Sequence, residues 1–369
     1  MAEAGRERYS GYPRARRAAC GISVRLKTEA VDIHNLFCMK NLTKKAVLGS
    51  GLLRLLAGFR GPGAAILMYH SVMENPASQD DLLGGIIHSR AAFREQMELL
   101  ARRYHPVSLD QVKNFSRGAG QLPERAVAVT FDDGYADNYE IAAPILNEVG
   151  IPATFYVIVE CVANAKLPWP ARLRFAFRTT NKESWNEAAG KAWPLLDSAQ
   201  RESAYLHACD ECCKLTGKAQ EEYVARLEQE LGATVPREAG ALMMNYEQVT
   251  GLVRQGHIVG SHTMTHPNLA HISEPEAHVE LAESKRHLEH QLKLTVQHFS
   301  YPCPALPPNW TEKTAEESRK TGYETAVTTD HGMVREGDDP QCWKRVPPTK
   351  TADGLRWNLE RAFASRGRH

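Results

Sequence analysis

The sequence has almost no net charge, no apolar run long enough to cross a bilayer, and no internal repeat. Its 369 residues carry 45 Lys and Arg against 44 Asp and Glu, a formal net charge of +1. This balance gives no overall electrostatic case for nucleic-acid binding. The apolar run after Met39 falls short of the about 20 residues that span a membrane, and Arg54 interrupts it. The hydrophobic fraction of 43% is ordinary for a globular chain of one large or two small domains.

Cysteine is present but forms no recognisable disulfide framework or zinc motif. The eight cysteines are scattered over a long chain, and only Cys209, Cys212 and Cys213 cluster. A zinc ribbon needs a second pair at suitable spacing, and the sequence has none. We therefore expect this cluster to pack helices together. The scatter favours a reducing compartment, so a cytoplasmic or membrane-associated location is expected rather than secretion.

The basic charge is confined to the N-terminal segment. Residues 1–60 contain 12 Lys and Arg against 4 Asp and Glu, while the remainder is net acidic. We expect a basic tail followed by a short amphipathic or anchor helix over 40–60. A poor signal peptide, an interfacial helix and an ordinary surface helix all stay open. Peripheral membrane association through 40–60 is one expectation from this pattern, and Met39 is an alternative translation start.

Short apolar runs alternate with segments of helical periodicity from position 64 to 159, which is typical of an α/β fold with parallel strands. The pattern predicts a short strand over His105–Leu109, a helix over Asp137–Val149 and a long helix over Glu274–Leu292. Residues 160–240 break the alternation and predict a helical insertion, which then gives way to further strands. The predicted organisation is a tail over 1–60, one domain over 61–350 with that insertion, and a C-terminal helix or tail over 351–369.

Polar residues follow several of the predicted strands at the point where each one ends. His70, the pair Asp132 and Asp133, and His262 all occupy such positions. In a barrel of alternating strands and helices, these strand ends meet at one mouth. His266 follows His262 at a spacing that can bring two imidazoles to one ion, and two His with one carboxylate suit catalytic zinc. Taken singly, the Asp pair is more typical of a turn than of a site, and the His pair is more typical of a surface loop.

Two motifs together resemble the polysaccharide deacetylase family, the NodB-homology domain of carbohydrate esterase family four. They are TFDDGY, which contains Asp132 and Asp133, and SHTMTH, which contains His262 and His266. The resemblance extends over about 64–348 and implies a distorted (β/α) barrel of about seven strands. It also implies that Asp132 is the catalytic base and that Asp133, His262 and His266 bind a divalent metal, expected to be Zn²⁺.

Two further segments match the family's pattern with departures. The segment FSYP at 299–302 resembles its third motif, which implies that Tyr301 lines the site and lends its backbone N–H to the oxyanion. The Arg usual in that motif is missing, and we expect Arg345 to supply the cation from another strand. The family's late Leu-His motif is also missing, but ILMYHSV resembles a variant in which it is displaced to the N-terminus. His70 would then be the general acid.

The expected function is a metal-dependent hydrolase that removes N-acetyl groups from an amino sugar in a polysaccharide, oligosaccharide or lipid-linked glycan. An O-deacetylase or N-deformylase acting on a glycan uses the same machinery, and a catalytically inactive carbohydrate-binding protein is the alternative from another class. An acetylated glycan is thus the expected partner. Aromatic residues of the insertion could stack on sugars or pack into its own core: Trp169, Phe175, Phe177 and Trp185.

Overall fold

The computed structural model describes residues 43–59, 61–79, 82–187 and 190–365. Residues 1–42 of the predicted basic tail lie outside these ranges. Residues 43–49 are helical and belong to a unit separate from the one formed by Ser50–His369. The larger unit contains every feature discussed below. None of the helices in the described ranges combines the length and the apolar character that a membrane span requires.

The core of the larger unit is a nearly closed barrel of parallel strands. The strands in chain order are β1 Ala64–Tyr69, β2 Ser71–Met73, β3 Ile87–Ser89, β4 His105–Pro106, β5 Ala126–Phe131, β6 Ala153–Val157, β7 Ser184–Asn186, β8 Ala192–Pro194, β9 Ile258–Ser261, β10 His298–Ser300, β11 Thr325–His331 and β12 Trp343–Arg345. Seven of them pair in the order β1-β5-β6-β9-β10-β11-β12, and β4 adds to β5. A parallel bridge between Leu67 and Val346 brings the two edges together. The predicted seven-stranded barrel is therefore confirmed.

Helices surround the barrel or belong to the insertion. They are α1 Leu52–Gly58, α2 Arg90–Arg103, α3 Leu109–Ser116, α4 Ala143–Glu148, α5 Val159–Asn164, α6 Trp169–Thr179, α7 Ser198–Cys212, α8 Gly217–Leu231, α9 Tyr246–Arg254, α10 Glu274–Leu292, α11 Glu312–Thr321 and α12 Ala352–Ala364. Short 3₁₀ turns occur at Pro76–Gln79, Gly84–Ile86 and Arg237–Leu242. In α10 the Ser273 side chain caps the first turn and Glu276 returns the hydrogen bond, so this helix has the predicted bounds.

The strand β5 is buried along its whole length because both of its faces are covered. Val127, Val129 and Phe131 pack outward against the surrounding helices. Ala126 and Ala128 alternate with them and belong to a second cluster that includes Trp343 of β12. Since side chains on a strand alternate between faces, Asp132 continues the face of Ala126 and Ala128. It therefore enters the mouth of the barrel.

Two local predictions differ from the structure. The helix expected over Asp137–Val149 is a π-helical turn at Asn138–Ala142 followed by α4, because Pro144 has no N–H to continue an α-helical ladder. The strand expected over His105–Leu109 is only β4. It ends early because Ser108 caps α3 in a capping box with Gln111.

The segment between β6 and β9 has a small core of its own. It contains helices α5 to α8 and also a hairpin, β7 with β8, in which Trp185 pairs with Trp193. A purely helical insertion was therefore wrong at this hairpin. Cys209, Cys212 and Cys213 are buried in the core as free thiols, in keeping with their predicted packing role.

The aromatic residues of the insertion mostly fill this core. Trp169, Phe177 and Trp185 are buried in it, and the rings of Phe177 and Trp185 meet edge to face with centroids 5.3 Å apart. Phe175 packs against a neighbouring apolar cluster. Rings that support the core are not free to stack on a sugar, so the sugar-stacking interpretation is wrong for the three buried residues. Tyr205 is the aromatic residue that this segment presents to the cleft described next.

Candidate active site

A cleft of about 580 Å³ opens at the carboxyl ends of the barrel strands. Its lining includes His70, Asp132, Asp133, His262 and His266. The structure therefore brings together five of the side chains singled out from the sequence, from three separate regions of the chain. One wall of the cleft comes from the insertion and another from the loop that follows β2.

The backbone at the end of β5 separates the two neighbouring carboxylates. The N–H of Asp132 donates to the Tyr69 carbonyl at 3.0 Å and so prolongs the pairing of β5 with β1. Asp133 then adopts a left-handed conformation with φ 74°, and Gly134 follows with φ 87°. A Cβ at Gly134 would lie 3.1 Å from a methyl group of Val157, so glycine is required for space as well as conformation. This turn directs Asp133 toward the histidine pair.

Asp133, His262 and His266 form a buried group whose potential ligand atoms all lie within 4.8 Å of one another. The Asp133 Oδ1 atom is 3.5 Å from the Nε2 atom of each histidine. The Nδ1 atom of His262 lies 2.7 Å from the Ser300 carbonyl, which leaves Nε2 as the acceptor nitrogen. A hydrogen bond of this kind fixes the tautomer of a metal-ligating histidine.

The protonation states of Asp133 and His266 suit a cation. Burial lowers the pKa of His266 to about 3, so its imidazole is neutral. Burial by itself would raise the pKa of Asp133, but His262 beside it and the other nearby histidines hold it below its ordinary value. One carboxylate and two imidazoles are the donor set of a catalytic zinc-type site with open positions. The residues present therefore fit a divalent metal.

The loop that carries His262 and His266 is held by its neighbours rather than by helical hydrogen bonds. His266 has φ 65°, and its N–H donates to Thr263 Oγ1 at 3.0 Å. The buried Glu280 of α10 accepts from the backbone N–H groups of Met264 at 2.8 Å and Thr265 at 3.0 Å. The sequence contained no local signal for Glu280, because it is one acidic residue among several on a long helix.

The insertion contacts the same loop directly. The indole Nε1–H of Trp169 donates to the His266 carbonyl at 2.9 Å. The N–H of Asn268 donates to the Cys213 carbonyl, also at 2.9 Å. The N–H groups of Val159 and Glu160 in α5 also donate to the carbonyls of Thr263 and Met264, both at 3.1 Å. Four hydrogen bonds thus connect the candidate metal-binding loop to the insertion. From the sequence, Trp169 was expected either to stack on a sugar or to pack in the core of the insertion. Its indole also holds the backbone of His266, a candidate metal ligand.

Replacing Trp169 by Phe should weaken metal binding about three- to tenfold. The ring packing is largely kept, but the His266 carbonyl loses a hydrogen bond of about 1 kcal/mol. Trp185→Phe is the matched control, because its indole donates to Glu230 at 3.0 Å within the insertion. Calorimetric titration of the apo variants with Zn²⁺ measures the difference. Equal affinities for Trp169→Phe and Trp185→Phe would show that the insertion does not support the loop.

Arg345 makes a bidentate ion pair with Asp132 inside the barrel. The guanidinium donates through Nη1 to Oδ1 at 2.9 Å and through Nη2 to Oδ2 at 2.7 Å, and both side chains are buried. Its Nε also donates to the Thr328 carbonyl at 2.8 Å. Burial opposes the ionisation of Asp132, but the charge of Arg345 keeps the pKa of this carboxyl below its ordinary value. Arg345 thus lies beside Asp132, as expected from the sequence for the cation that is missing from the third motif.

Tyr301 lines the cleft, but its backbone does not face the predicted direction. Its N–H donates to the Val327 carbonyl at 3.1 Å, which is the pairing of β10 with β11 continued by one residue. Its hydroxyl donates to the Gln341 carbonyl at 3.0 Å. A backbone N–H already used in a strand ladder is not available to an oxyanion, so this predicted role of Tyr301 is contradicted.

His70 lies at the end of β1 and is held there by two buried residues that sequence reasoning missed. Its carbonyl accepts from Asn138 Nδ2 at 2.7 Å. The carboxylate of Asp137 accepts from Ser71 Oγ at 2.6 Å and from the Val72 N–H at 3.0 Å. Both residues follow Asp132 within six positions, so the only signal in the sequence was their proximity to the Asp pair.

The buried Asp137 should make the protein less stable as the pH rises. Burial raises its pKa from 3.8 to about 7. Between these values the unfolded chain releases a proton that the folded chain keeps, so stability is full below about pH 4 and declines up to about pH 7. The loss is up to about 4 kcal/mol.

Asp137→Asn is the control for this titration, because it stays neutral and can still accept from Val72 and donate to Ser71. Urea unfolding midpoints of both proteins, measured from pH 4 to 8, should lie close together at low pH and separate as the pH rises, because only the wild type loses stability by this titration. Parallel curves would mean that Asp137 has an ordinary pKa.

Comparisons with known proteins agree with this geometry. The family model described as polysaccharide deacetylase matches residues 119–189 and 215–326. These ranges include Asp132, Asp133, His262 and His266, whereas His70 and Arg345 lie outside them. The gap between them falls within the insertion.

Similar proteins cover different shares of the chain. The poly-β-1,6-N-acetyl-D-glucosamine N-deacetylase of Escherichia coli K12 is 36% identical over 94 residues, which are 25% of this chain. The match spans only 13% of that enzyme's length. The Streptococcus pyogenes deacetylase PplD, solved in complex with acetate, superposes with a TM-score of 0.53 at 18% identity and covers 81% of this chain and 98% of its own. IcaB from Ammonifex degensii gives 0.52 at 20% identity, with 83% and 98% covered. These two structures share the fold.

Proposed function

Because this chain belongs to the polysaccharide deacetylase family, we propose that it hydrolyses the N-acetyl group of an amino sugar in a glycan with the help of a divalent metal ion. The observation that carries the proposal is the position of Asp132 beside the group formed by Asp133, His262 and His266. One carboxylate is paired with Arg345 and the other faces the histidines. The two neighbours therefore have separate roles.

Asp133, His262 and His266 would hold the metal ion, for which Zn²⁺ is our first candidate. A bound ion of this kind lowers the pKa of a water molecule and polarises the acetyl carbonyl. The three residues leave coordination positions open toward the cleft, as hydrolysis requires. The hydrogen bonds from His262 to Ser300 and from Trp169 to the His266 carbonyl hold the two imidazoles in place.

Asp132 is the proposed general base. Its carboxylate is ionised and held in a fixed orientation by the two guanidinium hydrogen bonds of Arg345. In this position it can accept the proton of the water that attacks the acetyl carbon. His70 supplies the proton of the leaving amine, and proton exchange with solvent returns both side chains to their starting states, so that water and amide become acetate and a free amino sugar.

His70 is the proposed general acid. It lies at the end of β1 and lines the same cleft, and its side chain is half-buried. Because β1 and β6 flank β5 on opposite sides, His70 and β6 lie on opposite sides of Asp132. An imidazole in this position can give a proton to the amine nitrogen as the carbon–nitrogen bond breaks. Its backbone is fixed by Asn138, so the side chain is presented from a rigid segment.

His70→Ala should slow amide hydrolysis about a hundredfold, as expected for the loss of one general acid. The backbone contact to Asn138 is kept in this variant, so folding and metal content should not change. Hydrolysis of 4-nitrophenyl acetate is the internal control, because its leaving group departs without protonation. An equal loss on the ester would assign His70 to binding or structure instead.

The substrate that we favour is an N-acetylglucosamine polymer or oligomer. The name of the Escherichia coli relative supports this choice. The insertion contributes Pro168, Pro170, Arg174 and Tyr205 to one side of the cleft. These side chains would narrow the cleft around the sugar that binds next to the candidate metal ligands. An O-acetyl or N-formyl group on a glycan remains the second candidate, since the same residues would hydrolyse it.

Acetate release from β-1,6-linked N-acetylglucosamine oligomers tests the proposal. The Zn²⁺-loaded protein should release acetate and give products lighter by one acetyl group in mass spectrometry. Treatment with a chelator should abolish the reaction, and added Zn²⁺ should restore it. Full activity in the metal-free protein would overturn the metal-dependent scheme. Binding of the oligomers without any acetate release would instead support a carbohydrate-binding protein.

A further inference from the structure

Helix α1 turns its largest apolar side chains away from the protein. Leu52, Leu55, Leu56 and Phe59 are 52%, 63%, 36% and 76% exposed. Their spacing of three and four residues places them on one face of a helix. On the other face the small side chain of Ala57 packs against the core, and the helix rests on α12.

This arrangement is the reverse of an ordinary surface helix, which buries its apolar stripe. The described residues contain only three other exposed large apolar side chains, Leu196, Leu206 and Val279, which lie on separate elements. Single exposed residues need no explanation, whereas a contiguous apolar patch marks an interaction site. The exposed stripe of α1 therefore needs a partner.

The charge around α1 indicates which partner this is. The sequence contains no Asp or Glu between Asp32 and Glu74. The same interval contains five basic residues: Lys40, Lys44, Lys45, Arg54 and Arg60. The structure places one acidic residue, Glu124, beside α1, together with Arg54 and Arg125. Apolar side chains on one helix face, within a segment of the chain that has cations and no anions, match the surface of an anionic bilayer, where each cation contributes about 1 kcal/mol.

We propose that α1 docks this protein onto an anionic lipid bilayer. The stripe Leu52, Leu55, Leu56 and Phe59 enters the headgroup region, and the basic residues contact lipid phosphates. The helix stays in the plane of the surface, because seven residues are far too few to cross it. This docking is independent of the reaction proposed for the cleft.

The docked orientation follows from the path of the barrel strands. A cavity beside α1 is lined by Gly61, Gly63 and Leu122, which precede β1 and β5. The candidate catalytic residues follow the other ends of these strands. Six residues per strand separate the two ends by about 20 Å. The cleft therefore opens away from the bilayer, toward glycan that extends from the surface.

Vesicle sedimentation of the full chain tests the docking. Vesicles of phosphatidylcholine and phosphatidylglycerol in equal parts should bind the protein at least tenfold more tightly than pure phosphatidylcholine. The double variant Leu55→Ser, Phe59→Ser should lose at least tenfold in affinity for the anionic vesicles, which is about 1.4 kcal/mol or more. The matched control is Leu206→Ser, Val279→Ser, whose original side chains are 53% and 54% exposed on other helices. It should bind as the wild type does.

Other results would overturn the proposal. Absence of binding to both vesicle types would do so, as would equal binding by the α1 double variant, which would place the contact elsewhere in the chain. If light scattering finds a dimer that the α1 variant converts to a monomer, with no vesicle binding, then a second copy covers the stripe. Acetate release from soluble oligomers should be the same in all three proteins, because α1 lies at the opposite end of the barrel.

Discussion

Asp132→Asn is expected to lower the rate of acetate release by about 10³- to 10⁴-fold, while Zn²⁺ affinity stays within about threefold of the wild type. The loss corresponds to removal of a general base that contributes 10²- to 10⁴-fold in comparable enzymes. Metal affinity is kept because the candidate ligand is the neighbouring Asp133, whose carboxylate faces His262 and His266 at 3.5 Å. Rates from initial acetate release and metal content from elemental analysis measure the two effects.

His262→Ala provides the comparison for this experiment. It removes a candidate ligand and should lose both metal and activity, whereas Asp132→Asn should lose activity alone. Asn also leaves the buried guanidinium of Arg345 without its anionic partner, so a loss of stability is expected, and circular dichroism should report whether the fold is unchanged. If metal content falls as far in Asp132→Asn as in His262→Ala, the division of roles between the two carboxylates is wrong.

Arg345→Met should destabilise the protein by about 3–5 kcal/mol and remove most of its activity. The substitution leaves the buried Asp132 without its partner, and an unpaired buried charge carries a cost of this size. The long apolar side chain of Met fills most of the vacated volume, so the effect comes mainly from the charge. Urea unfolding and initial rates of acetate release measure it.

A double-mutant cycle separates the ion pair from packing. The Asp132→Asn background leaves the buried Arg345 charge unpaired, and Arg345→Met removes that charge, so this substitution should cost much less stability there than in the wild type. Arg345→Lys keeps the charge but cannot make both hydrogen bonds, and it should fall between the wild type and Arg345→Met. Equal costs in the two backgrounds would show that Arg345 supports the barrel but does not hold the proposed base.

The sequence predicted the architecture well because the relevant patterns are local. Alternating apolar runs and helical segments specified parallel strands joined by helices, and the structure confirms a barrel of seven of them. The left-handed turn at Asp133 and Gly134 follows from residues that are neighbours in the chain. The bounds of α10 followed from its own capping residues. Errors arose at Pro144 and Ser108, where one residue ended or altered an element.

The sequence was less informative about side chains that serve the site from a distance. It placed Trp169, Phe177 and Trp185 among candidates for sugar contact, but the core of the insertion buries them. Their chemistry is the same in either role, and only packing decides between them. It also assigned an oxyanion role to the Tyr301 N–H, which the pairing of β10 with β11 uses instead. Whether a backbone N–H is free depends on the neighbouring strand.

By itself, then, the sequence determined the order of strands and helices, the carboxylate pair at the end of β5, and the two histidines of the following loop motif. The sequence named Arg345 as the candidate cation, and the tertiary structure showed that it pairs with Asp132. The tertiary structure alone decided the other supports, which are Glu280 on the histidine loop and Asp137 on the segment after His70. Arg345 and Asp132 are 213 positions apart. They meet because the barrel closes and brings β12 beside β1, a contact that no local pattern encodes.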